Sequence, residues 1–437
     1  MKKNWQHLFK MIIRWFFYLF VFLLPWQTKL IIKADASNFN EVSFYISHIL
    51  LIFVLLFFLF YRDTNKNYQE KAQLAWYCLA GFSFFIFLSF FFASDKILAF
   101  YKYIIIMLGL GLFYLLQEGF KRQAYGEAIL EKSRVIFVFL SSIFLHVSLG
   151  IYQFLNQNAF AFKYFGLASH HPEDLGVSVI ETLSGRWLRA YGGFDHPNIF
   201  GGVLAIAIIL SSYLLAKKKL IRTKREITES IFLFLFYFFA LLALIFSFSR
   251  SAWLALIVGL IALFIIFLVK KEKWALGRLI ALLFFSAILS SLIYFSYQDL
   301  FITRVNAEGR LEEISFSERR LQLVEVGGVL KDKWFFGTGI GNYTTFLANQ
   351  DLEKNGFKKA DWSYQPVHNS FLLLWAESGL LALFFFLTFF VVLWRRASKE
   401  VFVWSLLLPL ILLMFFDHWL LSLPFGIIFL FFILGLI

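Results

Sequence analysis

Cysteine is nearly absent from this chain: Cys78 stands alone among 437 residues. An internal disulfide framework and a cysteine metal site are thereby excluded, and Cys78 reads as a small core residue inside an apolar run. Charge is scarce as well, at 16% of residues, and lopsided, with 41 Lys and Arg against 28 Asp and Glu. The residue patterns of a P-loop, a nucleophile elbow and a soluble nucleotide-sugar domain are missing, as is the strict alternation of a membrane β-barrel. The first apolar run lacks the small-residue exit of a cleaved signal peptide and is expected to remain as a span.

What fills the chain is apolar: 60% of residues are hydrophobic and 21% aromatic, with 61 phenylalanines and a mean hydropathy of +0.73. A soluble domain of this length could not keep so much apolar surface from water. Runs long enough to cross a hydrocarbon layer of about 30 Å fall at 11–31, 42–61, 73–93, 97–116, 135–155, 198–215, 231–248, 252–269, 279–297, 368–394, 401–416 and 419–437. Backbone polar groups must be paired inside lipid, so these runs are expected to be helices. The expectation is an all-α polytopic membrane protein of about twelve transmembrane helices, a single integral domain over 1–437 whose last two spans are short.

Basic residues orient it. Lys2/Lys3/Lys10/Arg14, Arg62/Lys66/Lys71, Lys121/Arg122/Lys132/Arg134, Lys217–Lys219 with Arg222/Lys224/Arg225, Lys270/Lys271/Lys273/Arg278 and Arg395/Arg396/Lys399 fall on one side of the numbered spans. The positive-inside rule makes that side cytoplasmic and puts both termini there, in a multi-pass protein of the cell membrane. The net charge of +13 is then a topology signal, and no nucleic-acid partner is expected. Two long polar intervals, about 156–197 and 298–367, land outside the cytoplasm, away from ATP and nucleotide sugars. The second is a large, partly helical loop between spans nine and ten.

Unusual polar residues gather where outward helices open. The stretch from Arg186 to Asn198 contains Arg189, Gly192, Gly193, His196 and Pro197; the next turn reads Ser249-Arg250-Ser251; and the tenth span opens with His368-Asn369-Ser370. Helix N-termini attract anions, Pro197 suits a first helical position, and Ser249 or Ser251 could cap span eight. Arg250 occupies a turn of almost no length at the membrane boundary, where a permanent charge wants a partner. Arg189 and Arg250 together suit a pyrophosphate, because each guanidinium can pair two oxygens. His368 is placed to take a hydroxyl proton, whereas Glu377, nine residues further on, is poorly placed to orient it and is expected to pair with another buried group.

Gly337-Thr338-Gly339-Ile340-Gly341 reads as a structural turn, since no strand precedes it. Phe316 to Leu330, with Arg319, Arg320, Leu321, Leu323, Val324, Val326 and Leu330, fits an amphipathic helix resting over the bundle, from which Arg319 or Arg320 could reach the same anion. His170, His171, Glu173 and Asp174 do not form a convincing metal set, and Asp417-His418 is ambiguous.

Taken in order, Arg189…Gly193-Phe194-x-His196-Pro197-Asn198, Ser249-Arg250-x-Ala252-Trp253, Arg320…Phe336-Gly337-x-Gly339-x-Gly341-Asn342-Tyr343 and His368-Asn369-x-Phe371-Leu372 with Glu377-x-Gly379-Leu380 resemble the O-antigen ligase and O-antigen polymerase superfamily of bacterial envelopes. The resemblance covers about 189–380. It implies a glycosyltransferase that passes a glycan from an undecaprenyl-pyrophosphate carrier to a hydroxyl of a glycan, lipid or protein acceptor, among membrane lipids and without metal, nucleotide or other cofactor. It implies that Arg189, Arg250 and Arg320 hold the diphosphate, that His368 activates the acceptor, and that His196, Asn198 and Asn369 support the substrate. Ligase and polymerase remain undivided. The rival is a six-plus-six transporter or flippase of lipid-linked oligosaccharide, which would need a polar path through the bilayer centre.

Overall fold

The structure, a computed structural model, describes residues 2–35, 39–61, 73–121, 128–183, 185–218, 223–306, 309–397 and 401–437. Of the basic residues that orient the chain, Arg62, Lys66, Lys71, Arg122, Lys219, Arg222 and Lys399 lie outside the described residues.

Among the described residues the chain is an all-α bundle with two small hairpins. Helix α1 (Lys2–Leu23) is followed by strands β1 (Lys29–Lys33) and β2 (Val42–Tyr45), then α2 (Ile46–Tyr61), α3 (Gln73–Ser89), α4 (Lys96–Gly119) and α5 (Lys132–Asn156). Strands β3 (Val179–Thr182) and β4 (Gly185–Leu188) lead to α6 (Pro197–Lys217), α7 (Lys224–Phe246), α8 (Arg250–Val269) and α9 (Lys273–Ser296). Three helices, α10 (Gln298–Asn306), α11 (Arg310–Lys333) and α12 (Tyr343–Asn355), occupy the long polar interval, which is therefore a helical cap. The chain returns through α13 (Ser370–Ala397), α14 (Val401–Phe416), the single turn α15 (Trp419–Ser422) and α16 (Pro424–Leu436).

Helices that are apolar on every side belong in the middle of a bundle. The centre is α6, most of whose residues are buried, and α16, which is buried throughout and packs on α4. Eight described helices are long and apolar enough to cross a membrane. Of the four remaining expected spans, 401–416 forms α14 with its outline unchanged, and the other three depart from theirs. The run 11–31 stops as a helix at Leu23, just ahead of Pro25, and its tail forms β1. The run 42–61 starts as β2, paired antiparallel to β1 with Lys29 opposite Tyr45, so α2 begins only at Ile46. The run 419–437 is broken ahead of Pro424 into α15 and α16.

The tenth span is broken too. Gly379 has φ 82° and ψ 173°, a conformation open to glycine alone, which interrupts α13. The carbonyls of Ala376 and Glu377 lose their own helical donors there and accept instead from Thr338 N (2.8 Å) and Gly339 N (2.9 Å), while Leu380 N donates to Trp334 O (3.0 Å). The glycine turn 337–341 is thus the structural turn that its sequence indicates, and it replaces the missing helical bonds. Glu377 faces Lys102 and the backbone N–H groups of Gly341 and Tyr343, the buried partner expected for it.

Both long polar intervals meet at one end of the bundle. Arg310 of α11 pairs with Glu181 of β3 (3.2 Å), and the segment preceding α6 hydrogen-bonds to the α7–α8 turn.

Candidate functional site

That turn, Ser247-Phe248-Ser249, organises the loop end. Phe248 takes φ 46°, rare for a side chain of its size, and its ring is anchored against Phe154, Trp253 and Phe301. The strained turn aims three successive carbonyls outward. Phe246 O accepts from Ala190 N (3.0 Å), Ser247 O from Arg189 Nε (2.8 Å) and Phe248 O from Arg304 Nε (3.0 Å). Ser249 holds the N-cap position of α8, but its hydroxyl bonds no helix N–H; it lies 3.4 Å from Ser251 Oγ, so the expected cap is not made.

Arg189 follows β4 and lies eight residues short of the helix start it was expected to mark. It is buried, and its other nitrogens donate to Ser178 Oγ (Nη1, 2.7 Å) and Asn198 Oδ1 (Nη2, 2.7 Å). All three of these acceptors are neutral, so its charge is left uncompensated by direct contact. Burial, with Arg304 close by, draws its pKa well below the ordinary arginine value. Arg250 donates to Glu312 Oε2 (Nη2, 3.0 Å) and to the carbonyl of Arg304 (Nη1, 3.1 Å), and lies over the Phe316 ring at 5.2 Å. Arg304 completes the group by donating to Glu312 Oε1.

Asn198 links this arginine group to a second cluster, since its Nδ2 lies 3.4 Å from Asp417 Oδ2. His196 caps α6, its Nδ1 accepting from Asn198 N (3.0 Å), and Pro197 fills the first helical position. Burial and the Arg189 charge lower the pKa of His196.

His368 precedes α13 and is half-buried. Its ring packs edge-on to His418 with centroids 5.1 Å apart. Gln322 Oε1 accepts from both the backbone N–H (3.3 Å) and the Nδ1–H (2.8 Å) of His368. Two donors on one atom identify it as the amide oxygen, which fixes the proton on Nδ1 and leaves Nε2 with a free lone pair. Burial pulls the His368 pKa below 6.5, against the pull of Asp417, and Arg319 adds to the lowering. His418 is pushed further, to about 3, by burial, while its Nδ1 meets Ser422 Oγ at 2.7 Å. His368, Asp417 and His418 bring their ligand-type atoms within 4.8 Å of one another, the one such three-residue group among the described residues able to hold a metal ion.

The expected site residues are thus gathered unequally. Arg189, His196, Asn198, Arg250 and His368 form a connected polar group at the loop end. Asn369 serves the backbone: its Oδ1 accepts from Phe371 N and Leu372 N at 3.0 Å each, capping α13. Arg320 is exposed, and it is Arg319 whose charge acts on His368, His418 and Arg304. On α11 the buried residues are Glu312, Gln322, Val326 and Val329, whereas Leu321, Leu323 and Val324 are exposed, so the inward face differs from the apolar pattern. Arg304, Glu312 and Gln322 carry no motif. Gln322 shares one helical stripe with Glu312, Arg319, Val326 and Val329, a spacing that marks the inward face of α11 but not the partners it meets.

The class is therefore a multi-span membrane protein with a cationic seat and a neutral imidazole at one end of its bundle. Residues 235–387, about a third of the chain, match the family described as O-antigen ligase. No curated protein matches the chain.

Proposed function

We propose that this protein transfers a glycan from a polyprenyl-pyrophosphate carrier to an acceptor hydroxyl on the extracytoplasmic face of the cell membrane, as a ligase or polysaccharide polymerase. The observation that carries the reading is His368, whose proton is fixed on Nδ1 by Gln322, so that its Nε2 lone pair is free in a ring on which Asp417 and Arg319 act. In the proposed step Nε2 takes the acceptor hydroxyl proton, the oxygen attacks the anomeric carbon with inversion, and the bond to the diphosphate breaks. Arg250 stabilises the charge gathering on the leaving diphosphate, with Arg189 supplying uncompensated positive charge behind it. In this reading the imidazole acts without a metal, because an ion on Nε2 would take the lone pair that the hydroxyl needs.

The residues of the proposed site gather at the loop end, which favours transfer over transport. The test is transfer from purified lipid-linked donor. Arg250→Ala or His368→Ala should lower the rate by at least about a hundredfold while the protein still inserts and folds. Full activity in both variants would sink the assignment, and product length with alternative acceptors separates ligase from polymerase.

A further inference from the structure

Glu312 has no place in the transfer step, yet it is the most heavily engaged carboxylate at the site. Its two oxygens are divided between two guanidinium groups, Oε2 on Arg250 and Oε1 on Arg304. An anion with two separated oxygens, such as a phosphate, would meet the same pair in the same way. Both arginines are held from behind by main-chain oxygens: Arg304 Nε by Phe248 O (3.0 Å) and Arg250 Nη1 by Arg304 O (3.1 Å). The seat thus keeps its shape whether or not Glu312 is in it. Glu312 itself sits on the first turn of α11, whose N-cap Gly309 has φ 100° and offers no side-chain cap.

Charge favours exchange. Arg189, Arg250 and Arg304 act on one another at this end, and Glu312 compensates for one of them. A diphosphate diester carries about two negative charges and matches the remainder better than one carboxylate does. We infer that Glu312 is a resident stand-in for the donor's phosphate, and that Arg304 is a phosphate ligand beside Arg250 which the incoming diphosphate claims by displacing Glu312. The inference rests on the donor class proposed above. It also gives α11 a way to sense the donor, since the same helix holds Arg319 and the Gln322 that fixes His368.

The experiment is equilibrium binding of undecaprenyl diphosphate, with undecaprenyl monophosphate as comparator, to the purified full chain without acceptor. Glu312→Gln keeps the size and removes the competing charge; it should tighten diphosphate Kd about tenfold and the monophosphate less. Arg304→Lys, which keeps the charge but loses the fork, should weaken diphosphate binding about tenfold and cancel the gain of Glu312→Gln in the double variant. If Glu312→Gln does not fold, Glu312→Asp, too short to span both arginines, should tighten binding in its place. Unchanged or weaker binding in a folded Glu312 variant, or wild-type binding by Arg304→Lys, overturns the inference. Because no turnover is read, a protein that shows this binding pattern but transfers no glycan would retain the seat and lose the transferase reading.

Discussion

At the scale of single residues, the proposal depends on which nitrogen of His368 carries the proton. Gln322 is neutral, so it fixes the Nδ1 proton without drawing a second one onto the ring, and burial lets the ring take its second proton only at pH below 6.5. A base works in its deprotonated form. The transfer rate should be flat above pH 7 and fall on the acid side with a midpoint below 6.5. Gln322→Glu would set a carboxylate against Nδ1 and favour the imidazolium, moving that midpoint up by about one pH unit. A pH–rate profile unmoved by Gln322→Glu would remove His368 from the role of base. Arg319 and Arg320 show how little a pair of adjacent arginines reveals alone: neighbours on a helix point about 100° apart, and only the spacing to Gln322 and Val326 picks the one that faces inward.

Among the elements, α13 carries the sharpest expectation. A Cβ on Gly379 would lie 1.8 Å from the carbonyl oxygen of Phe335, in addition to the unfavourable φ of 82°. Gly379→Ala should therefore cost more than about 3 kcal/mol, read as a large drop in thermal midpoint in detergent. Gly327→Ala on α11, where a Cβ meets open space, should be neutral or stabilising by up to about 1 kcal/mol. An equal response at the two positions would contradict the account of the break. The helical bundle and the helical cap were legible because length and hydropathy decide them. The breaks were not, because they depend on distant partners: the 337–341 turn supplies the bonds that Gly379 forfeits, and β2 diverts four residues of an apolar run that lipid alone would leave helical.

For the whole molecule, the orientation proposed from its basic residues is open to a direct check, because its single cysteine, Cys78, is buried and gives a quiet background. A cysteine at Glu173, exposed in the first long loop, should react in intact cells with a membrane-impermeant thiol reagent, and one at Lys273, exposed at the start of α9, should react only after lysis. The reverse pattern would invert the topology and strand the site on the cytoplasmic face. The gathering of Arg189, Arg250 and His368 could be anticipated from their motifs, whereas Arg304 and Glu312 could not, since only the folded cap brings them to the turn. That turn has one more consequence. Its three outward acceptors are main-chain oxygens, which no side-chain replacement can delete, so point changes at 246–248 leave the loop anchors their partners. Inserting one residue there would slide the row by about 3.5 Å and unseat both long loops together, which makes this the place where the chain tolerates changes of spelling but not of length.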